Sequence, residues 1–457
     1  MKETKPMKTA NYITRIIPAL AVLALASASP EAFGAVKSSS VVYPTGLFPL
    51  DVQNVQAAID GGGTVILKAT NSVGQPTAFN FGPADVQNGT GANLTTDVTI
   101  LGERVGQSMT TINGGLAPFL GLMPVKTHIE SIDFEGPMDS PIVLISSTGS
   151  EIVGNVIRGQ VPVPLIFPFR FTETEGIFVA GNNDPQNAIT GRIRIADNLI
   201  EMSTGDFANG MQFDEVSADI DITGNTVHFL QSNGVVQTLG ILVIRSHGHA
   251  TITNNLVIME TGDPNAFPAG ILFGGYPEAR YMVSGNTIIT NHPNADGMDA
   301  VGFDVSEGTH GAIITNNHIV MHSLIPTSGG IALVGAVDSS VVSSNTIEGT
   351  NGSAIQILGF DSATVADSNK ALANNISQES ASVSDIFLGP FSTNNLVAGQ
   401  CATYVDQGIG NHTTCGTAVN SFAAMTSLNE APASKSKPRP LDIHRAILDT
   451  IQDRRAR

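Results

Sequence analysis

Between residues 214 and 310 the chain sets acids, bases and cations at intervals close to thirty residues. Asp214 and Glu215 are followed by Arg245, His247 and His249, then by Tyr276, Glu278 and Arg280, then by Asp304, Glu307 and His310. Glu215 precedes Arg245 by 30 residues, and His247 precedes Glu278 by 31, as His249 does Arg280. If units of this length stack, Glu215 lies near Arg245, His247 near Glu278 and His249 near Arg280 in neighbouring units. A carboxylate or imidazole beside a guanidinium can take a proton from the carbon next to a carboxylate and hold the charge that develops. That is lyase chemistry. It makes Arg245, Asp214, His247 and Arg280 the catalytic candidates, with Glu215, Tyr276, Glu278, Asp304 and His249 as substrate-binding candidates. A glycoside hydrolase needs two carboxylates at a defined separation. Asp214 and Asp304, three units and about 14 Å apart, are too distant for that. The plainer alternative is stacked opposite charges on a solvated turn, each pair contributing under about 1 kcal/mol.

What must position these residues is a repeat. Asn155, Asn198, Asn225, Asn255, Asn286, Asn317 and Asn345 recur at intervals of 43, 27, 30, 31, 31 and 28 residues. Three before and two after each Asn stands Ile or Val, as in Ile252-x-x-Asn255-x-Val257. A weaker eighth copy centres on Asn369. About fifteen residues upstream of these markers lies a second strand, starting at Gly176, Gly210, Gly240, Gly270, Gly330 and Ala354, with apolar residues next and third. Alternation of this kind puts one face inward and one outward. The pattern predicts a coil of roughly thirty residues whose short strands pair in parallel with those of the next coil. Aliphatic side chains then fill the interior. The asparagines form an amide ladder at a corner, with Asn adopting the left-handed turn conformation. Leucine-rich, propeller and helical repeats fit this pattern worse.

The stretch Val55-Gln56-Ala57-Ala58-Ile59-Asp60-Gly61-Gly62-Gly63-Thr64-Val65-Ile66-Leu67 resembles the opening of the pectate-lyase-like right-handed parallel β-helix superfamily. Asp97–Glu103, Thr111–Gly114 and His128–Phe134 resemble its next coils. The likeness covers about residues 51–400. It implies an all-β solenoid with a capping helix, N-capped by Asp51, striped by Val52, Val55 and Ile59 and stopped at Gly61. It also implies a substrate groove along one outward strand face and the turn after it, where the cluster above falls. Lyases, hydrolases, epimerases and non-catalytic adhesins share the fold, so it does not choose the activity. Asn294-Ala295-Asp296-Gly297-Met298-Asp299 and Ser246-His247-Gly248-His249 look like polygalacturonase motifs. Their order is reversed and the partner motifs are missing. The Asp-Pro-His signature of the epimerases is absent as well. His247, His249 and His310 do not make a metal site.

The ends read differently. Lys2, Lys5, Lys8 and Arg15 precede an apolar run over 16–28 with Ala26-Ser27-Ala28 at its exit, the layout of a signal peptide over 1–28. The run is too short to span a membrane, and no transmembrane segment is expected. Residues 29–50 read as an N-terminal extension and 51–428 as the solenoid. Residues 429–440 read as a linker, and 441–457 as a basic amphipathic tail suited to a surface contact. Cys401 and Cys415 are expected to form a disulfide in a secreted or periplasmic protein. Residues 160–171 read as an apolar loop. The 457-residue chain carries 22 Lys+Arg against 40 Asp+Glu, a net charge of −18, which excludes a nucleic-acid binder lacking any basic stripe. There is no Trp for sugar stacking. The charge would repel an acidic polymer unless arginines or Ca²⁺ offset it, and no Ca²⁺ motif exists; no cofactor is expected. Two readings result: an exported protein that binds or cleaves polysaccharide, with a lyase favoured over a hydrolase, or a non-catalytic surface or adhesion protein.

Overall fold

The computed structural model describes residues 39–418 except 84–90, 107, 123, 146–148, 160–162, 165–171, 182–190, 203–206, 231–236, 261–266, 293–294, 323–327, 351, 379–383, 400, 402 and 415–416. The expected signal peptide, linker and basic tail, and Cys415, lie outside these residues.

The described chain is a parallel β-helix. Three long sheets run the length of the stack, and within each of them successive coils pair in parallel. One full coil shows the order. Gln237–Ser246 lies in the third sheet, Ala250–Thr253 in the first and Leu256–Met259 in the second. A small fourth sheet widens the turn between third and first sheets in later coils, beginning at Thr309–His310. The expected extension contributes Ser39–Val42 to the first sheet, paired in register with Gly63–Leu67.

The interior follows from side-chain alternation. Ile195, Ile222, Ile252, Val283, Ile314 and Val342 align in one column of the first sheet, and all are fully buried. Ile200, Val227, Val257, Ile288, Ile319 and Ile347 do the same in the second. No coil could bury these residues alone, so stacking supplies the core.

The asparagine column is real, with two corrections. Each carboxamide Nδ2 donates to the Oδ1 of the next coil, at 3.1 Å for Asn155 to Asn198 and 2.9 to 3.0 Å from Asn198 through Asn345. The eighth rung is Asn374, not Asn369. Ala371 stands where the other copies have Ile or Val, which hides it from a β-branched pattern. Asn369 instead belongs to a second ladder at the turn entering the first sheet, where Oδ1 of Asn395 accepts from the Asn369 backbone and Oδ1 of Asn411 from that of Asn395. The second correction concerns the backbone. The left-handed residue is the one before each marker: Gly154, Asp197, Gly224, Asn254, Gly285, Asn316, Ser344 and Ala373, at φ +50° to +67°. The marker Asn must turn its carboxamide inward to reach two coils, so its neighbour makes the bend.

The helix Leu50–Asp60 is present and buries Val55, Ala58 and Ile59 against the first strands. Asp51 is not its N-cap; that position is Pro49. Asp51 is buried and accepts from Thr45 N, Gly46 N and Asn80 N at 2.7 to 2.9 Å, tying the incoming loop to the second sheet. Of the apolar loop, Val163–Pro164 forms a short antiparallel pair with Thr172 and Glu173; the rest lies outside the described residues.

Candidate functional site

The candidate residues fall at the ends of the third-sheet strands, as Asp214 and Arg245 do, and on the turn that leads from there to the first sheet. Asp214 pairs across the third sheet with Ile244, one residue before Arg245. Arg245 is 6% exposed. Its Nε donates to Asp214 Oδ1 at 2.9 Å, its Nη2 reaches both Asp214 oxygens, and Glu215 Oε1 lies 3.4 Å from Nε. Burial works to lower the guanidinium pKa, but Asp214, Glu215 and Glu307 outweigh it and the pKa is raised. Glu215 and Arg245 both hold left-handed backbone, at φ +56° and +51°. The side chains that the sequence placed together are together. Arg245 is also fully committed in charge, because two carboxylates already touch it.

One coil further, His247 and Glu278 meet as expected. His247 Nδ1 donates to Glu278 Oε1, and its ring stacks on Tyr276 with centroids 3.8 Å apart and planes within 8°. Burial pushes the Glu278 carboxyl up, but the His247 hydrogen bond and the nearby Arg280 charge together hold it below its ordinary value. A neutral imidazole that donates from Nδ1 has its lone pair on Nε2. The pair is an imidazole oriented by a carboxylate and stacked on an aromatic neighbour.

The other expected pairs are not brought together in the same way. Arg280 donates Nη1 to the carbonyls of Pro277 and Ala279, at 2.7 and 2.8 Å, while remaining exposed. His249 is exposed, and its backbone N–H donates to Asp219. Asp304 is exposed and accepts from Ser306 N and Glu307 N, closing its own turn. His310 pairs with Asp338 one coil on.

Two further groups lie outside the candidate set, the first in the stretch set aside as a polygalacturonase look-alike and the second not singled out from the sequence. Asp296 and Asp299 lie on the third-sheet strand Asp296–Gly302, at 4% and 0% exposure. Asp299 aligns with Leu242 and Leu272, on the face opposite Met298 and Ala300, where those leucines form a second apolar cluster outside the main core. Gly297-Met298-x-Ala300 is a copy of the Gly-started strand between Gly270 and Gly330, which was the available signal. The second group is on the second sheet. Asp133 Oδ1 lies 3.3 Å from Arg158 Nε of the following coil. Burial, against the pull of Arg158 and with help from Glu135 and Glu201, pushes its carboxyl up to about 6.

No family profile and no curated protein matches the chain in sequence. Solved structures similar to it include two A-modules of Azotobacter vinelandii mannuronan C-5 epimerases. AlgE4 is 14% identical with a TM-score of 0.41, the match covering 80% of this chain and 91% of that one. AlgE6 is 12% identical with a TM-score of 0.36, covering 80% and 94%. On its own strand pairings, this chain has the parallel β-helix architecture that its resemblance to the pectate-lyase-like superfamily implied.

Proposed function

We propose that the chain is an exported protein that acts on a polysaccharide containing uronate units, with His247 as the base of a lyase-type elimination. The observation that carries this reading is the Glu278–His247 pair stacked on Tyr276. Nε2 takes the proton from the carbon beside the uronate carboxylate. The electron pair left behind forms a double bond to the neighbouring carbon, and the bond from that carbon to the glycosidic oxygen breaks. The leaving oxygen regains a proton from solvent. Arg280, the exposed cation beside Glu278, is the group available to hold the carboxylate as charge builds on it; Arg245 serves as a buried brace fixed by Asp214 and Glu215. The step as written needs no cofactor. The basic–apolar–small order of residues 1–28 supports export, and the basic segment 441–457 is assigned to surface contact.

The test is incubation of purified protein with a panel of uronate-containing and neutral polysaccharides, following unsaturated products and new reducing ends. Turnover on a uronate polymer is expected, and His247→Ala should lower it by about 10²-fold or more. Product formation unchanged in His247→Ala would overturn the assignment of the base. No product on any polymer would leave the non-catalytic surface protein as the better reading.

A further inference from the structure

The corner between the first and second sheets carries a surface that the turn cluster does not use. Thr223, Thr253, Ser284, Thr315 and Ser343 align in one outward column of the first sheet by strand register. Hydroxyls are linked at two of its four steps: Thr253 Oγ1 donates to Thr223 Oγ1 at 3.2 Å, and Ser343 Oγ to Thr315 Oγ1 at 3.3 Å. Beside this column Met282 and Ile313 are each 45% exposed, the first paired directly with the second. Across the asparagine turn, the outward second-sheet column runs Thr226, Leu256, Thr287. In a chain of net charge −18, residues 250–259, 281–290 and 312–321 contain no Asp, Glu, Lys or Arg. The array is therefore uncharged, alternates hydroxyls with aliphatic side chains, and repeats at one strand spacing, ~4.8 Å.

We propose that this corner is a docking surface for an extended, neutral, β-linked polysaccharide lying along the coil axis. The strand spacing of ~4.8 Å is close to the length of one sugar in such a chain. Each ring then presents equatorial hydroxyls to the Thr/Ser column and its axial C–H face to Met282 and Ile313. An acidic polymer gains little here, because the three stretches hold no Lys or Arg and their one histidine, His318, already faces Glu348. A lipid surface would have to bury the hydroxyl column without partners. The proposal goes beyond the uronate reading: it is a separate surface for a neutral polymer and does not rest on catalysis at His247.

Sedimentation of the full chain with microcrystalline cellulose and with chitin, against soluble alginate and polygalacturonate as competitors, tests it. Retention on at least one of the two neutral solids is expected, insensitive to salt and to both acidic polymers. Ser284→Lys/Thr315→Lys should weaken it at least 10-fold with the unfolding midpoint unchanged. Glu201→Lys, in the charged coils, and His247→Ala should each leave it intact, so loss of turnover and loss of retention fail separately. Retention on neither solid, or a double-lysine variant that binds like wild type, overturns the proposal. So does binding that either acidic polymer abolishes.

Discussion

Two stretches of the same two sheets differ sharply on the outside and hardly at all on the inside. The coils spanning 127–229 place Glu130, Asp133, Glu135, Glu151, Arg158, Arg192, Arg194, Asp197, Glu201, Asp219 and Asp221 on the first and second sheets and their corner. The three coils that follow place no such charge there. Yet both stretches share the buried Ile/Val columns and the same ladder geometry. A solenoid separates these demands because each strand residue faces either the tube or the solvent. What the interior needs is fixed by stacking, and what the exterior carries is left to function. The missing charge in 250–259, 281–290 and 312–321 is then a property of the surface, not a consequence of the fold.

The strongest way to break the comparison is to remove one ladder residue from each stretch. Asn198 Nδ2 donates to Ile152 O and Asn225 Oδ1, while its Oδ1 accepts from the Asn155 backbone. Asn286 does the same for Ile252 O, Asn317 Oδ1 and the Asn255 backbone. Either Asn→Ala change orphans two or more buried backbone groups, each costing about 1–3 kcal/mol. Losses of roughly 3–5 kcal/mol are expected at both sites, read as shifts in the urea midpoint. A site that costs much less than the other would mean the two interiors are not equivalent. An effect of similar size belongs to the boundary between the stretches. Asp214→Ala leaves Arg245 buried with only Glu215 close by, and should cost about 3 kcal/mol by the same measurement. A loss under 1 kcal/mol would show that the Arg245 charge does not depend on Asp214.

These interior effects are also the part of the molecule most legible in the sequence. Columns of β-branched residues around a fixed Asn announce a stack because burial and pairing both act on residue types. The same periodicity carried over to the turn, which is why Glu215–Arg245 and His247–Glu278 were found. It failed where a local choice overrode it. Ala371 is buried beside Asn374 without being β-branched, and Arg280 bonds the carbonyls of its own turn, Pro277 O and Ala279 O, where His249 of the preceding coil was the expected neighbour. Asp133 could not be read at all, because its burial comes from neighbouring coils and from no residue type of its own.

Asp133 gives the next prediction, which sharpens the contrast from the charged side. Its carboxyl titrates near 6 in the folded protein against an ordinary 3.8. The folded state therefore holds an extra proton between those values, and this group's contribution to stability falls as pH rises from about 4 to 6. The full difference is up to about 3 kcal/mol. Asp133→Asn should remove that slope, so the gap between wild type and variant narrows at pH 4 and widens in favour of the variant at pH 7. Urea midpoints at the two pH values decide it. Parallel curves would mean that burial does not govern this carboxyl.

The smallest expected effect is the one on which the comparison turns. Thr287 sits in the uncharged stretch, half-buried on the outward face, in register with Leu256 and His318. If exterior positions are free of the fold, Thr287→Lys should change stability by less than about 0.5 kcal/mol, as surface substitutions away from special features do. The lysine stem can lie along Leu256 while its ammonium stays in water. A loss of 2 kcal/mol or more in the urea midpoint would mean that these coils exclude charge for structural reasons. The uncharged corner would then say nothing about a ligand, even with the ladder and the interior columns intact.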